Sequence, residues 1–108
     1  MDPKVRQLEL TSTKALQIIR EAAKDSANVF LTAHAQKRMS QRKITMSQVL
    51  RCLRQGRISE GPARDHIKGG WKCSVEHYTA GESLGVSVAI ETIQATGVTV
   101  ITVYLING

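Results

Sequence analysis

The spacing of apolar residues changes from helical to alternating near Arg57, and this change constrains the fold more than any other feature of the chain. Before it, Leu16, Ile19 and Ala23 recur at helical spacing; after it, apolar and polar residues alternate. The predicted helices cover residues 13–26, 33–42 and 45–55, and the predicted strands cover 57–60, 71–79, 83–93 and 98–106. Helices followed by strands are typical of an α+β fold.

We expect one α+β domain over residues 1–108, because a chain of this length forms a single core. In it, the N-terminal helices, two of them joined as a helical hairpin, pack on an antiparallel meander of three to four strands. Residues 98–106 are apolar on both faces, which predicts a strand that is central in the sheet or covered on both faces. Residues 1–12 either begin a helix or form an irregular arm along the body.

Three local patterns predict how these elements begin and end. Thr45 and Gln48 form a capping-box pattern at the start of the third helix. Gly56 is predicted to end that helix in the left-handed conformation, and Gly61-Pro62 is predicted to end the first strand. Residues 29–31 are predicted to be a short apolar link between the first two helices.

Positive charge is concentrated in the first half of the chain. The net charge is +6, but residues 1–57 hold 12 Lys or Arg and 4 Asp or Glu, whereas residues 58–108 hold 3 and 5. No carboxylate lies between Asp25 and Glu60. This asymmetry indicates a polyanionic partner, most plausibly nucleic acid, although a basic surface without a ligand is the alternative. The predicted nucleic-acid-binding residues outside the helix motif are Lys37, Lys43, Arg51, Arg54 and Arg57.

The remaining composition sets the expected compartment and cofactors. No apolar run is long enough to cross a bilayer, and the first residues lack the pattern of a signal peptide, so a soluble cytoplasmic protein is expected. Cys52 and Cys73 have apolar neighbours and no metal-ligand spacing, which predicts buried reduced thiols. We expect no cofactor and no metal.

Three candidate catalytic residues follow from helical spacing, namely His34, Arg38 and Arg42. At about 100° per residue, they fall within an arc of roughly 80° on one helix. A histidine can exchange a proton near neutral pH, and arginines can hold phosphate oxygens, so we expect this edge of the helix to bind a phosphate.

Each candidate also has a structural alternative. His34, near the start of its helix, can serve as a hydrogen-bonding structural residue. Arg38 and Arg42 can form ion pairs with the sheet, and the available carboxylates are those of Glu76, Glu82 and Glu91. A tyrosine at alternating strand spacing, such as Tyr104, is commonly part of a core.

The order His-x-x-x-Arg-Met-x-x-Arg, Ile-Thr, an amphipathic helix ending in Gly-Arg-Ile, and a final Ile-Thr-Val-Tyr strand resembles the bacterial domain-of-unknown-function family 4258. That family is similar to the RelE/ParE-like toxins and to the barnase/EndoU/colicin/RelE superfold of small metal-independent ribonucleases. The motif falls on these residues of this chain: His34, Arg38, Arg42, Thr102 and Tyr104. The resemblance therefore adds Tyr104 to the candidate catalytic residues, and we expect its hydroxyl to converge with His34, Arg38 and Arg42 on one RNA phosphate. The chain departs from it at Gln41 and Lys43, where the family commonly has Glu and Gly.

The resemblance implies a RelE/ParE-like fold and a small endoribonuclease of the toxin type that cleaves RNA by attack of the ribose 2′-hydroxyl. RNA is then the expected ligand, and an antitoxin or immunity protein is the expected protein partner. Two alternatives remain: an RNA- or DNA-binding module that does not cut, and a toxin-like protein-interaction domain without nuclease activity.

Overall fold

The computed structural model describes residues 9–106, which form three α-helices, a short 3-10 turn and five strands. The helices are α1 (Ser12–Ala22), α2 (Ala33–Arg42) and α3 (Met46–Gln55). The strands are β1 (Val29–Leu31), β2 (Arg57–Arg64), β3 (Trp71–His77), β4 (Ser83–Ile90) and β5 (Val98–Ile106). The predicted α+β class is confirmed. No helix of the described range is both long and apolar enough to cross a membrane.

Each helix begins at a threonine whose hydroxyl oxygen accepts a backbone N–H of the first turn. Thr11 caps α1, Thr32 caps α2, and Thr45 caps α3. The predicted capping box of α3 is present, because the Thr45 side chain accepts from the Gln48 backbone and the Gln48 side chain accepts from the Thr45 backbone at 2.8 Å. These bonds satisfy N–H groups that a helix cannot pair internally.

The joint of the predicted helical hairpin lies at Lys43, between α2 and α3, but the two helices pack mainly on different strands, α2 on β5 and α3 on β3 and β4, rather than on each other. Lys43 adopts the left-handed conformation with φ 57°, and the Ile44 backbone N–H then donates to the Met39 carbonyl at 2.8 Å. This geometry closes α2 as a C-terminal cap usually does. A non-glycine residue rarely adopts it, because its β-carbon crowds the backbone.

The sheet has five strands in the order β1-β5-β4-β3-β2, and it is mixed. The prediction of three to four antiparallel strands is therefore wrong in both number and direction. The missing element is β1, predicted as a link, which pairs parallel with β5 through Val29 and Val98. Three residues are too few to show a strand period. The other neighbouring pairs are antiparallel, and β5 is an inner strand as predicted.

Two glycines behave differently from their predicted roles. Gly56 follows α3 in an extended conformation, with φ −78°, rather than a left-handed one. Glycine is required at this position because a β-carbon would lie 2.6 Å from the carbonyl oxygens of Cys52 and Glu76. At Gly61-Pro62 the strand does not end, since β2 continues to Arg64 across an irregular register with β3.

The core lies between the helices and one face of the sheet. Val75 of β3, Val86 of β4 and Val103 of β5 are adjacent in the register, and all three are buried. Helix α3 adds Val49, Cys52 and Leu53, which are also buried. Of the arm predicted over residues 1–12, residues 1–8 lie outside the described range, and Leu10 is buried in the core.

Candidate functional site

Helix α2 carries three of the predicted catalytic residues on one side. Ala35 and Met39 are its buried residues, and the side chains of His34, Arg38 and Arg42 share the flank beside them. His34 and Arg42 are exposed, and Arg38 is half-buried. Successive members of this row are one helical turn apart, or about 6 Å along the axis. We refer to His34, Arg38 and Arg42 as the cationic edge.

No carboxylate of residues 9–106 forms an ion pair with the cationic edge. Arg38 has one hydrogen bond, in which its Nη1 donates to Gln41 Oε1 at 3.4 Å. Within residues 9–106 the ion pairs are Lys24–Glu21, Arg64–Glu9 and Lys72–Asp65, and none involves α2 or α3. The alternative in which Arg38 and Arg42 pair with Glu76, Glu82 or Glu91 is therefore absent from the described range. This edge presents donors and positive charge to solvent.

The other predicted nucleic-acid-binding residues have different surroundings. Lys37 is exposed on α2, and Lys43 is exposed at the hairpin joint. Arg51 borders a small depression with His77 and Glu82. Lys37 and Lys43 add positive charge on α2 and at its end, whereas Arg51 shares its depression with the Glu82 side chain.

Arg54 has a structural contact that the sequence did not indicate. Its Nε donates to the Ala23 carbonyl at 2.9 Å, at the end of α1. In return, Arg20 of α1 donates to the carbonyls of Arg54 and Gly56, the latter at 2.9 Å through Nη2. Each arginine thus satisfies carbonyl groups in the last turn or at the C-terminal cap of the other helix, where intrahelical donors are absent. Arg54 has less freedom to bind a ligand than Arg42 or Arg51.

Tyr104, the fourth predicted catalytic residue, lies on the face of the sheet opposite the core, which we call the outer face. Its register neighbours across the sheet are Gly85 and then Glu76. The Tyr104 hydroxyl donates to Glu76 Oε2 at 3.1 Å, and the Tyr78 hydroxyl donates to Glu76 Oε1 at 2.5 Å. We call Glu76, Tyr78 and Tyr104 the tyrosine–glutamate cluster.

Hydroxyl groups surround this cluster on the outer face. Ser74 and Ser87 are register neighbours whose side-chain oxygens are 2.8 Å apart. Ser59 of β2 donates to the Ser74 carbonyl at 3.4 Å. Thr102, the remaining motif residue, stands opposite Ser87 in β5. This strip of hydroxyl and carboxylate groups can exchange hydrogen bonds with a polar ligand.

The two tyrosines remain protonated donors at neutral pH. For Tyr104, burial and then the bond to Glu76 raise the pKa above its ordinary value, and the Ser74 and Ser59 hydroxyls oppose this. For Tyr78, the hydrogen bond to Glu76 is the largest cause of a raised pKa. Both phenols donate to a carboxylate, which favours the protonated form.

The structure gathers His34, Arg38 and Arg42 on α2 and places Tyr104 in a separate cluster. No hydrogen bond or ion pair within residues 9–106 joins Tyr104 to any of the three. Sequence reasoning did not select Glu76 and Tyr78 as site residues. The alternating pattern of this strand could have indicated them, because Glu76 and Tyr78 alternate with the buried Cys73 and Val75 and therefore belong to its polar face. The register that brings Tyr104 to them was not available.

The cysteines lie in the core. Cys52 and Cys73 are free and buried, as predicted. Burial raises the pKa of the Cys52 thiol to about 12 and that of Cys73 to about 11, with the Glu76 charge adding to the effect at Cys52. Among the described residues, no three His, Cys, Asp or Glu side chains are grouped as a metal site requires. These thiols are structural packing groups.

Together these elements define a small α+β protein with a mixed sheet, a cationic helical edge and a hydroxyl-rich outer face. The family described as "Domain of unknown function (DUF4258)" matches residues 31–105, and the chain belongs to this family. The match includes both α2 and the tyrosine–glutamate cluster. No curated protein and no solved structure matches the chain.

Proposed function

We propose that the chain is a small metal-independent endoribonuclease of the toxin type, with a RelE/ParE-like fold, and that it holds RNA on the cationic edge. One observation carries the proposal: within residues 9–106, no cation of α2 or α3 has an ion-pair partner. Cations concentrated on one surface attract polyanions, and release of counterions from the RNA would add to the affinity.

The chemistry assigned to the cationic edge is transfer of a phosphodiester to the ribose 2′-oxygen. The His34 imidazole accepts the proton of the 2′-hydroxyl, and the 2′-oxygen forms a bond to phosphorus. The bond from phosphorus to the 5′-oxygen breaks, and that oxygen takes a proton from solvent. The products carry a 2′,3′-cyclic phosphate and a 5′-hydroxyl.

The spacing along α2 suggests that Arg38 and Arg42 contact different phosphates of the RNA. Arg38 is one turn, or about 6 Å, from His34, so its guanidinium can reach the phosphate at which His34 acts. There it stabilises the negative charge that develops on the non-bridging oxygens. Arg42 is a further turn away and is assigned to a neighbouring phosphate. An antitoxin or immunity protein that blocks this surface would be acidic where it covers these arginines.

The test is cleavage of end-labelled total RNA in EDTA by the wild type, His34→Ala and Arg38→Ala. His66→Ala is the matched control, since His66 is an exposed histidine in the loop between β2 and β3. Circular dichroism establishes that each variant is folded. We expect the wild type and His66→Ala to cut RNA, and the other two variants to lose at least about a hundredfold in rate, the scale of a general base or an oxyanion donor.

The same RNA and variants, tested for binding as well as for cleavage, separate the remaining alternatives. If RNA stays intact but binds with a steep salt dependence that His34→Ala does not change, the chain is a nucleic-acid-binding module and the catalytic proposal is wrong. If RNA is neither cut nor bound, the cations serve a protein partner instead.

A further inference from the structure

A cleft of about 380 Å³ borders the tyrosine–glutamate cluster, beside the junction of α3 and β2. Its lining includes six polar side chains, namely those of Gln55, Arg57, Ser59, Glu76, His77 and Tyr78. The volume lies in the range of small-molecule sites, and a few convergent polar groups in such a site usually set orientation and specificity. Nothing in the chemistry assigned to the cationic edge uses this cleft.

Glu76 is the unusual group in the cleft, because its carboxylate forms no ion pair with any cation of the part of the chain that the structure describes. Arg57 stands opposite it in the register of β2 and β3, yet no ion pair joins the two within residues 9–106. The partners of Glu76 are instead the hydroxyls of Tyr78 and Tyr104, one on each carboxylate oxygen. Since a carboxylate has about four acceptor positions, about two remain for a ligand that donates hydrogen bonds.

Tyr78 supplies an apolar surface at the same place. Its side chain is 66% exposed, although its hydroxyl is held by Glu76. A tyrosine ring fixed at one end and open on its face is suited to stacking against a planar group. The ligand that fits is therefore planar and carries adjacent N–H donors at its edge.

Among the RNA bases, guanine matches this pattern. Its N1–H and N2–H₂ groups are neighbouring donors on the Watson–Crick edge, whereas adenine and cytosine each place one amino group beside a ring acceptor and uracil places its single N–H between two carbonyl acceptors. A carboxylate can accept both guanine donors in parallel, in the same fork geometry by which it accepts arginine. Single-stranded RNA is commonly recognised through such exposed base edges and stacked faces.

We infer that this cleft is a guanine-binding subsite, in which Glu76 accepts from guanine N1–H and N2–H₂, Tyr78 stacks on the base and Arg57 contacts the attached phosphate. The inference deepens the proposed ribonuclease function and rests on it, since the subsite would select a guanine in the RNA that the cationic edge holds. Tyr104 acts as a positioning residue, because its hydroxyl orients the Glu76 carboxylate.

The test is binding of guanosine, adenosine, cytidine and uridine monophosphates to the full chain, measured by calorimetry or by shifts of backbone amide signals. Inosine monophosphate is the most specific probe, because it keeps N1–H and lacks the 2-amino group. We expect guanosine monophosphate to bind about tenfold or more tightly than inosine monophosphate, the scale of one hydrogen bond to a charged group. The other three nucleotides should bind more weakly still.

Four variants complete the test. Glu76→Gln should lose about tenfold or more in guanosine monophosphate affinity, because its amide nitrogen opposes one guanine donor, and Glu91→Gln is the exposed control. Tyr78→Ala should lose at least about fivefold through stacking. His34→Ala should bind guanosine monophosphate as the wild type does.

The outcomes of this test are independent of RNA cleavage. No binding at millimolar guanosine monophosphate, equal affinity for guanosine and inosine monophosphates, or unchanged binding by Glu76→Gln would each overturn the subsite while leaving the cleavage assay untouched. Selective guanosine monophosphate binding by a protein that leaves RNA intact would support the subsite and overturn the ribonuclease proposal.

Discussion

The ring of Tyr104 lies directly over Gly85, the residue opposite it on the neighbouring strand. A β-carbon at Gly85 would stand 2.2 Å from ring atoms Cε2 and Cζ of Tyr104, and 2.7 Å from the hydroxyl oxygen. The glycine therefore gives the ring room to cross β4 and to reach Glu76 on β3. Cross-strand packing of an aromatic ring over glycine also compensates for the weak strand propensity of that glycine.

Replacing Gly85 by alanine should displace Tyr104 and break its bond to Glu76. We expect a loss of about 1–3 kcal/mol in the free energy of unfolding, typical of inserting a methyl group into a packed site. Gly81→Ala is the control, since a β-carbon at Gly81 meets no atom within 4 Å. Urea denaturation of both variants checks the prediction, and equal stabilities of Gly85→Ala and Gly81→Ala would contradict it.

Glu76 should control how the two tyrosines titrate. Its hydrogen bond is the largest cause of the raised pKa at Tyr78, whereas burial is the largest cause at Tyr104. Glu76→Gln should therefore lower the pKa of Tyr78 more than that of Tyr104. Tyrosinate absorbance against pH, read with Tyr78→Phe and Tyr104→Phe to assign the steps, measures this, and Glu91→Gln should titrate as the wild type does.

The raised pKa values of the two tyrosines also determine how the stability of the fold depends on pH. A phenol whose pKa is raised on folding stabilises the fold fully below its unfolded value near 10. That contribution is lost as the pH rises through the folded pKa. In the wild type, stability should therefore fall at alkaline pH, and the tyrosine part of that fall should be smaller in Glu76→Gln. An identical alkaline profile for both proteins would show that Glu76 does not set the tyrosine shifts.

Lys43 should be a site of backbone strain that glycine relieves. Its φ of 57° is unfavourable for a side chain with a β-carbon, by about 1–2 kcal/mol, and part of the gain is offset by the greater freedom of glycine in the unfolded chain. Lys43→Gly should raise the free energy of unfolding by about 0.5–1 kcal/mol. Ser40→Gly, inside α2, should instead lower the free energy of unfolding by about half a kcal/mol. A destabilised Lys43→Gly would argue that the lysine side chain contributes contacts to the fold.

Both cysteines should resist alkylation in the folded protein. The pKa values of about 12 for Cys52 and about 11 for Cys73 leave almost no thiolate at pH 8, and burial blocks access. Thiol titration should find no rapidly reacting group in buffer and two in concentrated urea. Rapid reaction of either thiol in the native protein would mean that the core around it opens readily.

The sequence predicted the fold best where a feature depends only on residues within one helix or strand. The capping box at Thr45 and the inner position of β5 follow from local residue type and from two apolar faces, and both are confirmed. The strand β1 could not be predicted, because three apolar residues have no measurable period and their parallel partner lies some seventy positions away. Gly56 was assigned to a left-handed cap, but the close approach of the Cys52 and Glu76 carbonyls decides its role.

In the candidate site, too, features set within one helix were predictable and features set by the tertiary fold were not. The cationic edge was predictable because His34, Arg38 and Arg42 are related by helical periodicity alone. The absence of an ion pair between this edge and any carboxylate of the described residues was not predictable, since the distances to Glu76, Glu82 and Glu91 depend on the tertiary fold. The tyrosine–glutamate cluster depends on the register of three strands, and a shift of one residue would have turned Tyr104 to the opposite face.

The measurement that tests the central claim most directly compares one labelled RNA of mixed sequence with its fully 2′-O-methylated copy, each incubated with the wild type in EDTA. Methylation removes the nucleophile and keeps the phosphates, so binding to the cationic edge should persist. We expect the RNA to be cut, leaving 2′,3′-cyclic phosphate or 3′-phosphate ends, and the methylated copy to be bound and left intact. Cleavage of both strands, or of neither, would contradict a ribonuclease that acts through the ribose 2′-hydroxyl.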